Sequence, residues 1–519
     1  MSSRIVSASP APKSMTGASA SLSKRLSRLY TTVVAVAEVL HRRRLAVALV
    51  LAPVLTAVIV AVNQFVLLDF PNSGDEYNYL YQARTLAAGR LWNVPPGQPE
   101  IFATNYIIQE PGRVFSSFPF GWPLMLAIGI RLGLPVWLVN PLLGTLTLGL
   151  IWGLGARLYS GRVGVAAALL VAVSPFFLFN AASYFSHTFC GVLLLGAACI
   201  ASRPDRRPAW VPMLVGFMIG WAVVSRYLTG VIAGLPIVLW LLRPGVPRMR
   251  TLALVALGGG PWVVALAAYN ATMTGSMLRL TTTPLTVSLW LRDGWLLRSA
   301  DILSTQLLRH LLWTPPAVMA AYLVYLRTAP ADTRRPPLEW MLILTVVVLY
   351  FYVERGGNQY GPRFHYEAML FAAVFVAANL FRGPTLAARP PYEAWLFALM
   401  VISVLAQPVS FAIHARLERA VIVERMDPFI QAARAGLSNA LVLIADRVGS
   451  ARSIAAADLT RNGIDYDGPV LYGLDQADDR PCVWARLVPG RRPYFYIWDH
   501  ARRHGTLSPL DCATADPVP

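Results

Sequence analysis

The apolar residues of this sequence are gathered into long blocks, many of them about 17–25 residues in length, which is the length of helix that crosses the core of a bilayer. Charged residues make up only 14% of the chain, whereas soluble domains usually carry about a quarter. A soluble enzyme and a disordered scaffold are therefore excluded. The sequence predicts a polytopic α-helical membrane protein.

The chain is strongly basic, with 45 Lys and Arg against 27 Asp and Glu and a formal net charge of +18. In a soluble protein this surplus would indicate nucleic-acid binding. Here much of the Arg lies in short links between apolar blocks, and no basic stretch with interleaved aromatic residues lies outside them. We therefore predict no nucleic-acid partner and use the Arg distribution to orient the chain, because cytoplasmic loops of membrane proteins are enriched in Lys and Arg.

The charge rule gives a complete topology for the cytoplasmic membrane. Residues 1–44 are predicted to be a disordered basic cytoplasmic tail, and 45–68 an uncleaved first span. The first outer loop is 69–135, and within it the short segment 119–134 is interfacial or re-entrant, because counting it as a span would turn every later basic link outward. Together with the first span at 45–68, the sequence predicts about eleven spans. The other ten are 136–157, 163–183, 187–202, 209–226, 228–242, 251–270, 308–326, 338–354, 365–381 and 393–413.

The region after the last span, 414–519, is predicted to be a small extracytoplasmic α/β domain that follows the membrane domain 45–413. It opens with an amphipathic helix over 413–436. Strand-like runs follow, separated by Gly, Asp and Pro turns, at Ala440–Ile444, Val470–Tyr472, Val483–Leu487 and Tyr494–Trp498. Cys482 and Cys512 could form a disulfide there if the domain is extracytoplasmic.

The first cluster with chemical potential is Asn72-Ser73-Gly74-Asp75-Glu76-Tyr77, just outside the first span. Apolar and aromatic residues recur after it at helical spacing, so Asp75 and Glu76 are predicted to begin a helix on the membrane surface. The two acids can serve as cap and first-turn residues. They can also supply a general base or a metal-binding carboxylate, an interpretation that gains support because the first outer loop holds few acids. Both interpretations remain open at this stage.

Three arginines fall on the outer side of the predicted topology, where the charge rule gives little reason for them: Arg226, Arg355 and Arg363. Their guanidinium groups match the geometry of phosphate, although snorkelling to lipid headgroups is the alternative. His187, in Ser183–His187 at the outer end of a span, is either an interfacial polar residue or a partner or metal ligand near Asp75.

Several catalytic templates are missing from the sequence. There is no G-x-x-x-x-G-K-[ST], no G-x-S-x-G and no H-E-x-x-H. The missing phosphate-binding loop argues against an ATP-driven pump and against an enzyme that uses sugar nucleotides.

In the polar clusters described above, the chain resembles the GT-C superfamily of membrane glycosyltransferases, in particular the bacterial aminoarabinose-transferase and protein O-mannosyltransferase-like group. The resemblance covers about residues 45–380. It rests on Gly74-Asp75-Glu76 with Tyr77 and Tyr79, Phe118–Pro123, Leu170–Phe179 with Ser174-Pro175, Tyr269–Ser276, and Gly361-Pro362-Arg363-Phe364.

The resemblance implies an inverting transfer of sugar from a polyprenyl-phosphate donor to an envelope acceptor (lipid, glycan or protein) on the outer face of the cytoplasmic membrane. Asp75 matches the family's first-loop acid and would be the general base, with Glu76 as its companion. We expect Arg363, with Arg226 or Arg355, to hold the donor phosphate. His187, Tyr77 and Arg84 are candidate supporting residues or ligands.

The resemblance leaves the question of a metal open. Family members often carry a further acid in the second outer loop, and this sequence has Ser186-His187 there, so a divalent metal remains an alternative and no other cofactor is expected. Two other functions compete with a glycosyltransferase: a transporter or flippase for a lipid or polyisoprenoid, and a lipid-linked glycan ligase or polymerase. A transporter should carry ionisable residues inside its spans, and most spans here lack them.

Overall fold

The computed structural model describes residues 17–94, 99–202, 208–242, 245–281, 295–318, 321, 324, 359–381, 383, 385–386, 391–445, 456–475, 481–499 and 501–512. Helices predominate. In chain order they are α1 (Gly17–Arg42), α2 (Arg44–Ala61, continued by a π-helical turn at Val62–Val66), α3 (Gly74–Ala87), α4 (Gly121–Arg131), α5 (Val136–Leu158), α6 (Gly161–Ala172), α7 (Pro175–Ala182), α8 (His187–Ala201), α9 (Trp210–Ser225), α10 (Tyr227–Leu241), α11 (Arg248–Thr274), α12 (Trp295–Trp313), α13 (Tyr366–Leu380), α14 (Pro391–Leu405), α15 (Gln407–Arg434) and α16 (Pro481–Arg486).

Several helices are suited to the membrane. Among the described residues, four are long and apolar enough to cross it: Arg44–Val66, Val136–Leu158, Arg248–Thr274 and Tyr392–Arg434. The predicted span 163–183 is instead a broken unit, in which α6 and α7 meet at 71°. The break falls at Ser174-Pro175, because a residue before proline is displaced from helical geometry. The span 338–354 lies outside the described residues, and the count of eleven stays a prediction.

The N-terminal region corrects one prediction. Residues 17–42, expected to be disordered, form helix α1. Tyr30, Val34 and Ala37 are buried at successive turns of one face, and the ring of Tyr30 stacks on Phe381 with centroids 5.7 Å apart. The Ser, Ala and basic residues dominate the composition of this region and conceal the apolar stripe, which follows the 3.6-residue period of a helix.

The segment 119–134 contains helix α4, which has 11 residues. At 1.5 Å per residue it is about 16 Å long, too short to cross the bilayer core. It packs beside α3, and its Trp122 is fully buried and donates a hydrogen bond to the carbonyl of Tyr184 at 2.8 Å. This length agrees with the prediction that the segment is not a full span, and its placement as an interfacial or re-entrant segment stays a prediction.

The C-terminal region is an α/β unit. The predicted amphipathic helix is part of α15, which leads into a four-stranded sheet of order β4-β3-β5-β6. Its strands are β3 (Ala440–Ala445), β4 (Val470–Asp475), β5 (Arg492–Asp499) and β6 (His504–Pro509), with β3 parallel to β4 and β5, and β6 antiparallel to β5. The strand predicted at Val483–Leu487 is wrong, because Pro481–Arg486 is helical. Cys482 and Cys512 form a disulfide.

The C-terminal unit shares its core with residues 69–135, the predicted first outer loop. Ile101 and Phe102 of that loop are buried in one cluster with Leu441, Leu443 and Leu471 of the sheet. The loop itself carries a hairpin of β1 (Ile107–Glu110) and β2 (Arg113–Ser116). The two regions therefore form one packed body, which holds the first outer loop against α15 and the sheet.

Candidate active site

The start of α3 presents the two acids. Ser73 is the N-cap, and its hydroxyl accepts a hydrogen bond from the amide of Glu76 at 3.2 Å. Ser73 performs the capping, and its hydroxyl also donates to Oε2 of Glu76 at 3.4 Å, so the carboxylate of Asp75 is not needed as a cap.

The carboxylate of Asp75 meets Arg363, which lies 288 positions away in the sequence. The distance from Arg363 Nη2 to Asp75 Oδ2 is 2.6 Å, and both side chains are mostly buried. Arg363 also lies over the ring of Phe185 at 4.1 Å. Gly361, two residues earlier, has a φ of +93°, and a Cβ there would lie 2.8 Å from the ring of Phe176. Only glycine allows the chain to turn here and deliver Arg363 to Asp75.

Glu76 points away from Asp75 into the protein, and only 1% of it is exposed. Its Oε1 accepts a hydrogen bond from the amide of Tyr184 at 3.0 Å, and its Oε2 lies 3.4 Å from Nε2 of Gln359. Burial raises the pKa of Glu76 to about 7, against the opposing effects of the Tyr184 amide and of Arg363. Glu76 therefore ties α3 to the turn before α8 and titrates near neutrality.

A second ion cluster lies at the start of α8, α10 and α13. Arg226, at the N-cap of α10, donates to the hydroxyl of Ser186 at 3.1 Å. Its Nε lies 3.6 Å from Oε1 of Glu367. His187 is fully buried, with Nδ1 at 3.3 Å from the same carboxylate oxygen. Glu367 thus joins the predicted residues Arg226 and His187.

The two clusters are neighbours. The guanidinium carbons of Arg226 and Arg363 each lie 5.6 Å from the ring centroid of Phe364. The hydroxyl of Tyr79, one helical turn after Asp75, is 3.4 Å from that of Ser186, which Arg226 contacts. Asp75, Arg363, Arg226 and His187 accordingly belong to one site, assembled from α3, α8, α10 and the turn before α13.

Glu367 was not predicted from the sequence, although a signal for it exists. It stands inside the apolar segment 365–381, and an ionisable residue in such a segment indicates a functional position. Its burial is nearly complete, with 1% of the residue exposed.

The remaining predicted site residues do not join this cluster. The hydroxyl of Tyr77 donates to the carbonyl of Asn462 at 2.8 Å and accepts from its amide at 3.0 Å, so Tyr77 binds the C-terminal unit. Arg84 is exposed, and its charge acts on Asp69 and Tyr184. Arg355 lies outside the described residues.

The described residues offer no cluster of metal ligands. Within them, no three His, Cys, Asp or Glu side chains converge in a way that could hold an ion. The nearest partner of Asp75 is a guanidinium, and that of His187 is a single carboxylate. The described donor set does not fit a protein cage for a divalent cation.

Known proteins share the fold. Residues 118–271 match the family model of dolichyl-phosphate-mannose-protein mannosyltransferases. ArnT from Cupriavidus metallidurans in the apo state has a TM-score of 0.51 at 13% identity, over 89% of this chain and 94% of that one. The same protein bound to undecaprenyl phosphate has a TM-score of 0.47 at 14% identity, over 87% and 93%.

A third similar structure is the arabinofuranosyltransferase AftD from Mycobacteria, with a TM-score of 0.43 at 18% identity, over 88% of this chain and 35% of that one. No curated protein sequence matches the chain. The family match over residues 118–271 and the fold shared with apo ArnT agree with the predicted resemblance to GT-C membrane glycosyltransferases.

Proposed function

We propose that this membrane enzyme with the GT-C fold transfers a sugar from a polyprenyl-phosphate donor to a hydroxyl of an envelope acceptor (a lipid, a glycan or a protein) on the outer face of the cytoplasmic membrane, with inversion. The contact between Asp75 and Arg363 carries the proposal. It joins a carboxylate suited to proton abstraction with a cation suited to phosphate, at the start of a surface helix. The undecaprenyl phosphate in the ArnT structure supports the choice of donor.

The chemistry follows from these groups. Asp75 takes the proton of the acceptor hydroxyl, whose oxygen attacks the anomeric carbon of the donor sugar. The bond between that carbon and the phosphate oxygen breaks, and polyprenyl phosphate leaves with the electron pair. A single displacement inverts the anomeric centre.

Arg363 can serve both the base and the leaving group. A guanidinium has five N–H donors, and a single one contacts Asp75 at 2.6 Å. In the proposed complex the other donors of Arg363 bind phosphate oxygens together with Arg226, which lies beside the same aromatic ring. Both cations would stabilise the charge that develops on the phosphate, and Arg363 would also fix the orientation of Asp75.

The C-terminal disulfide supports the proposed orientation. Cys482–Cys512 is a bond of a kind that persists in oxidising compartments outside the cytoplasm. We accordingly place the C-terminal unit and the site outside, and the N-terminus in the cytoplasm. Lipids surround the helices, and the donor reaches the site from the outer leaflet.

The test is a transfer assay with purified protein, radiolabelled polyprenyl-phosphate sugars and cell-envelope acceptors. Wild-type protein should release polyprenyl phosphate and label an acceptor, whereas Asp75→Asn should lose at least about a hundredfold in rate because it removes the base. Glu110→Gln is the matched control, since Glu110 lies in the same loop and is paired with Arg113. The proposal would be overturned if the protein moved the donor lipid across the bilayer of proteoliposomes without transferring sugar, or if Asp75→Asn turned over at the wild-type rate.

A further inference from the structure

A segment of the C-terminal unit lies directly against the start of α3. We call residues 456–466 the clamp segment. Its Asp458 reaches so close to Gly74 that a Cβ on this glycine would be 2.6 Å from Asp458 Oδ1. The same oxygen accepts a hydrogen bond from Asn105 at 2.7 Å. The residue immediately before Asp75 is therefore in contact with a part of the chain that lies more than 380 positions later.

Further contacts fix the clamp segment in this position. Thr104 of the first outer loop donates to the carbonyl of Thr460 at 2.9 Å, and Arg90 binds Asp465 with two bonds of 2.7 and 3.1 Å. Together with the two hydrogen bonds between the Tyr77 hydroxyl and the backbone of Asn462, these contacts extend along both α3 and the loop after it. These contacts fix the position of the clamp segment along α3, the helix that carries the two acids.

Arg461 is the unusual member of the clamp segment. Its Nε donates to the carbonyl of Asp458 at 2.6 Å, and its guanidinium lies over the rings of Phe70 and Tyr77, with distances of 4.4 and 5.5 Å. Both Nη atoms are buried, and no hydrogen-bond partner for them is found among the described residues. Burial lowers the pKa of Arg461 to about 10, so the group remains charged at neutral pH.

The charge of Arg461 acts on Glu76. Burial raises the pKa of Glu76 most, and the charge of Asp75 raises it slightly. The amide of Tyr184 lowers it, and so do the charges of Arg363 and Arg461. The phenols of Tyr184 and Tyr360 are the other titratable groups that interact with this carboxylate. Two carboxylates at the start of α3 thus have two cations beside them, Arg363 from the turn before α13 and Arg461 from the clamp segment.

We propose that the clamp segment is a working part of the active site, in which Arg461, packed over Phe70 and Tyr77, is a positioning residue that holds the first turn of α3 where Asp75 can act. The inference rests on the proposed function. It assigns the C-terminal unit a role in the transfer step itself, in addition to any part it plays in folding.

The proposal predicts how substitutions at Arg461 change the pH profile. Without the cation, the pKa of Glu76 rises further, so the acid side of the kcat profile of Arg461→Gln should move to higher pH by about one unit. At pH 7, kcat should fall about fivefold, while the KM for the donor changes little, because Arg363 and Arg226 are intact. Arg461→Lys keeps the charge and should restore most of kcat.

The control is Arg502→Gln, an exposed arginine of the same unit whose side chain is 85% accessible, and it should leave the profile unchanged. A purely structural role of Arg461 predicts a different result. Arg461→Gln and Arg461→Lys would then lose kcat equally at every pH, with a matching fall in unfolding temperature, and this outcome would overturn the proposal, as would an unchanged kcat and profile.

A second measurement separates this inference from the proposed function. Infrared difference spectra between the wild type and Glu76→Gln isolate the carboxyl band of Glu76, which can be titrated without any substrate. In an Arg461→Gln background the midpoint should move to higher pH, even if the enzyme transfers no sugar in the assay. An unmoved midpoint would overturn the inference whether or not transfer is observed.

Discussion

Each cation that we assign to the donor phosphate already has a carboxylate partner. Arg363 contacts Asp75 at 2.6 Å, and Arg226 lies 3.6 Å from Glu367. These carboxylates compensate the buried positive charges before a donor arrives. Without them, burial of each guanidinium would cost free energy. A bound phosphate must therefore share each cation with its carboxylate, so donor affinity depends on that balance.

Arg363→Ala should weaken donor binding and also lower kcat, because Arg363 is proposed both to bind the donor phosphate and to orient Asp75. A charge-assisted hydrogen bond to phosphate is worth about 1.5–3 kcal/mol, so the KM for the donor should rise about tenfold or more. Steady-state kinetics with the donor varied at saturating acceptor measure this change. Arg113→Ala is the control, because Arg113 is also a loop arginine in an ion pair. A fall in kcat with an unchanged donor KM would contradict a binding role.

Glu76 should make stability depend on pH. Its pKa is about 7 in the folded protein against a model value of 4.5, so the folded state binds more protons between these values. The free energy of unfolding should therefore fall as pH rises from about 4.5 to about 7. Glu76→Gln keeps an acceptor for the Tyr184 amide and removes the titration.

Relative to the wild type, Glu76→Gln should gain up to about 3 kcal/mol on going from pH 5 to pH 8. Apparent unfolding temperatures of the two proteins in detergent, compared across this range, measure the effect. Parallel curves for wild type and variant would show that Glu76 is not buried as described.

How far single residues were predictable depends on where their signal lies. Asp75 and Arg363 stand in short polar runs at predicted outer ends of spans, and the charge rule places both on the same side. Helix geometry explains why Tyr77 and Arg84 do not join Asp75. At 100° per residue they lie about 200° and 180° away from it around α3. Glu367 was missed because its only signal is a single charge in an apolar run.

At the scale of elements, the apolar blocks predicted the helices better than their ends. The block 136–157 matches α5 within one residue, because nothing inside it competes with helix formation strongly enough to break it. The block 163–183 is interrupted by Ser174-Pro175, which the average hydropathy of the block does not reveal. In the C-terminal unit, short apolar runs are ambiguous between strand and helix, which explains both the incorrect strand at 483–487 and the missed, largely exposed strand β6.

Helix α1 should contribute to stability through one face. Tyr30 is fully buried and its hydroxyl donates to the carbonyl of Gly383 at 2.5 Å. Tyr30→Ala should cost about 3–5 kcal/mol, the range for removal of a large buried side chain. The neighbouring Leu29, which is 42% exposed, is the control, and Leu29→Ala should change little. Unfolding temperatures in detergent give the comparison, and equal effects of the two substitutions would contradict the packing of α1.

At the scale of the whole molecule, the sequence predicted a membrane domain followed by a small C-terminal α/β domain. The structure adds that residues 101–102 and the C-terminal sheet share a core around Ile101 and Leu441. Contacts of this kind join positions more than 300 residues apart, and nothing in the local pattern of either segment records them. The pairing of the loop with the tail could therefore be found only from the folded chain.

The proposed orientation can be tested by labelling with a membrane-impermeant maleimide. Ser21→Cys and Ser508→Cys introduce thiols at exposed positions near opposite ends of the described chain. Background labelling should be low because Cys190 and Cys199 are buried and the other two cysteines form a disulfide. In intact spheroplasts Ser508→Cys should react and Ser21→Cys should react only after permeabilisation. The reverse pattern, or labelling of both from one side, would contradict the topology.

The bond between Thr104 and Thr460 spans 356 positions of the chain, and this has a consequence for biosynthesis. Chains emerge from the ribosome N-terminal end first, at about 5–20 residues per second. Asp75 is therefore made and placed at the membrane long before the clamp segment exists. Until residue 466 has been synthesised, the first turn of α3 lacks one of its walls. A chain interrupted before residue 456 would therefore contain the four described helices that are long and apolar enough to cross a membrane and still have an incomplete site.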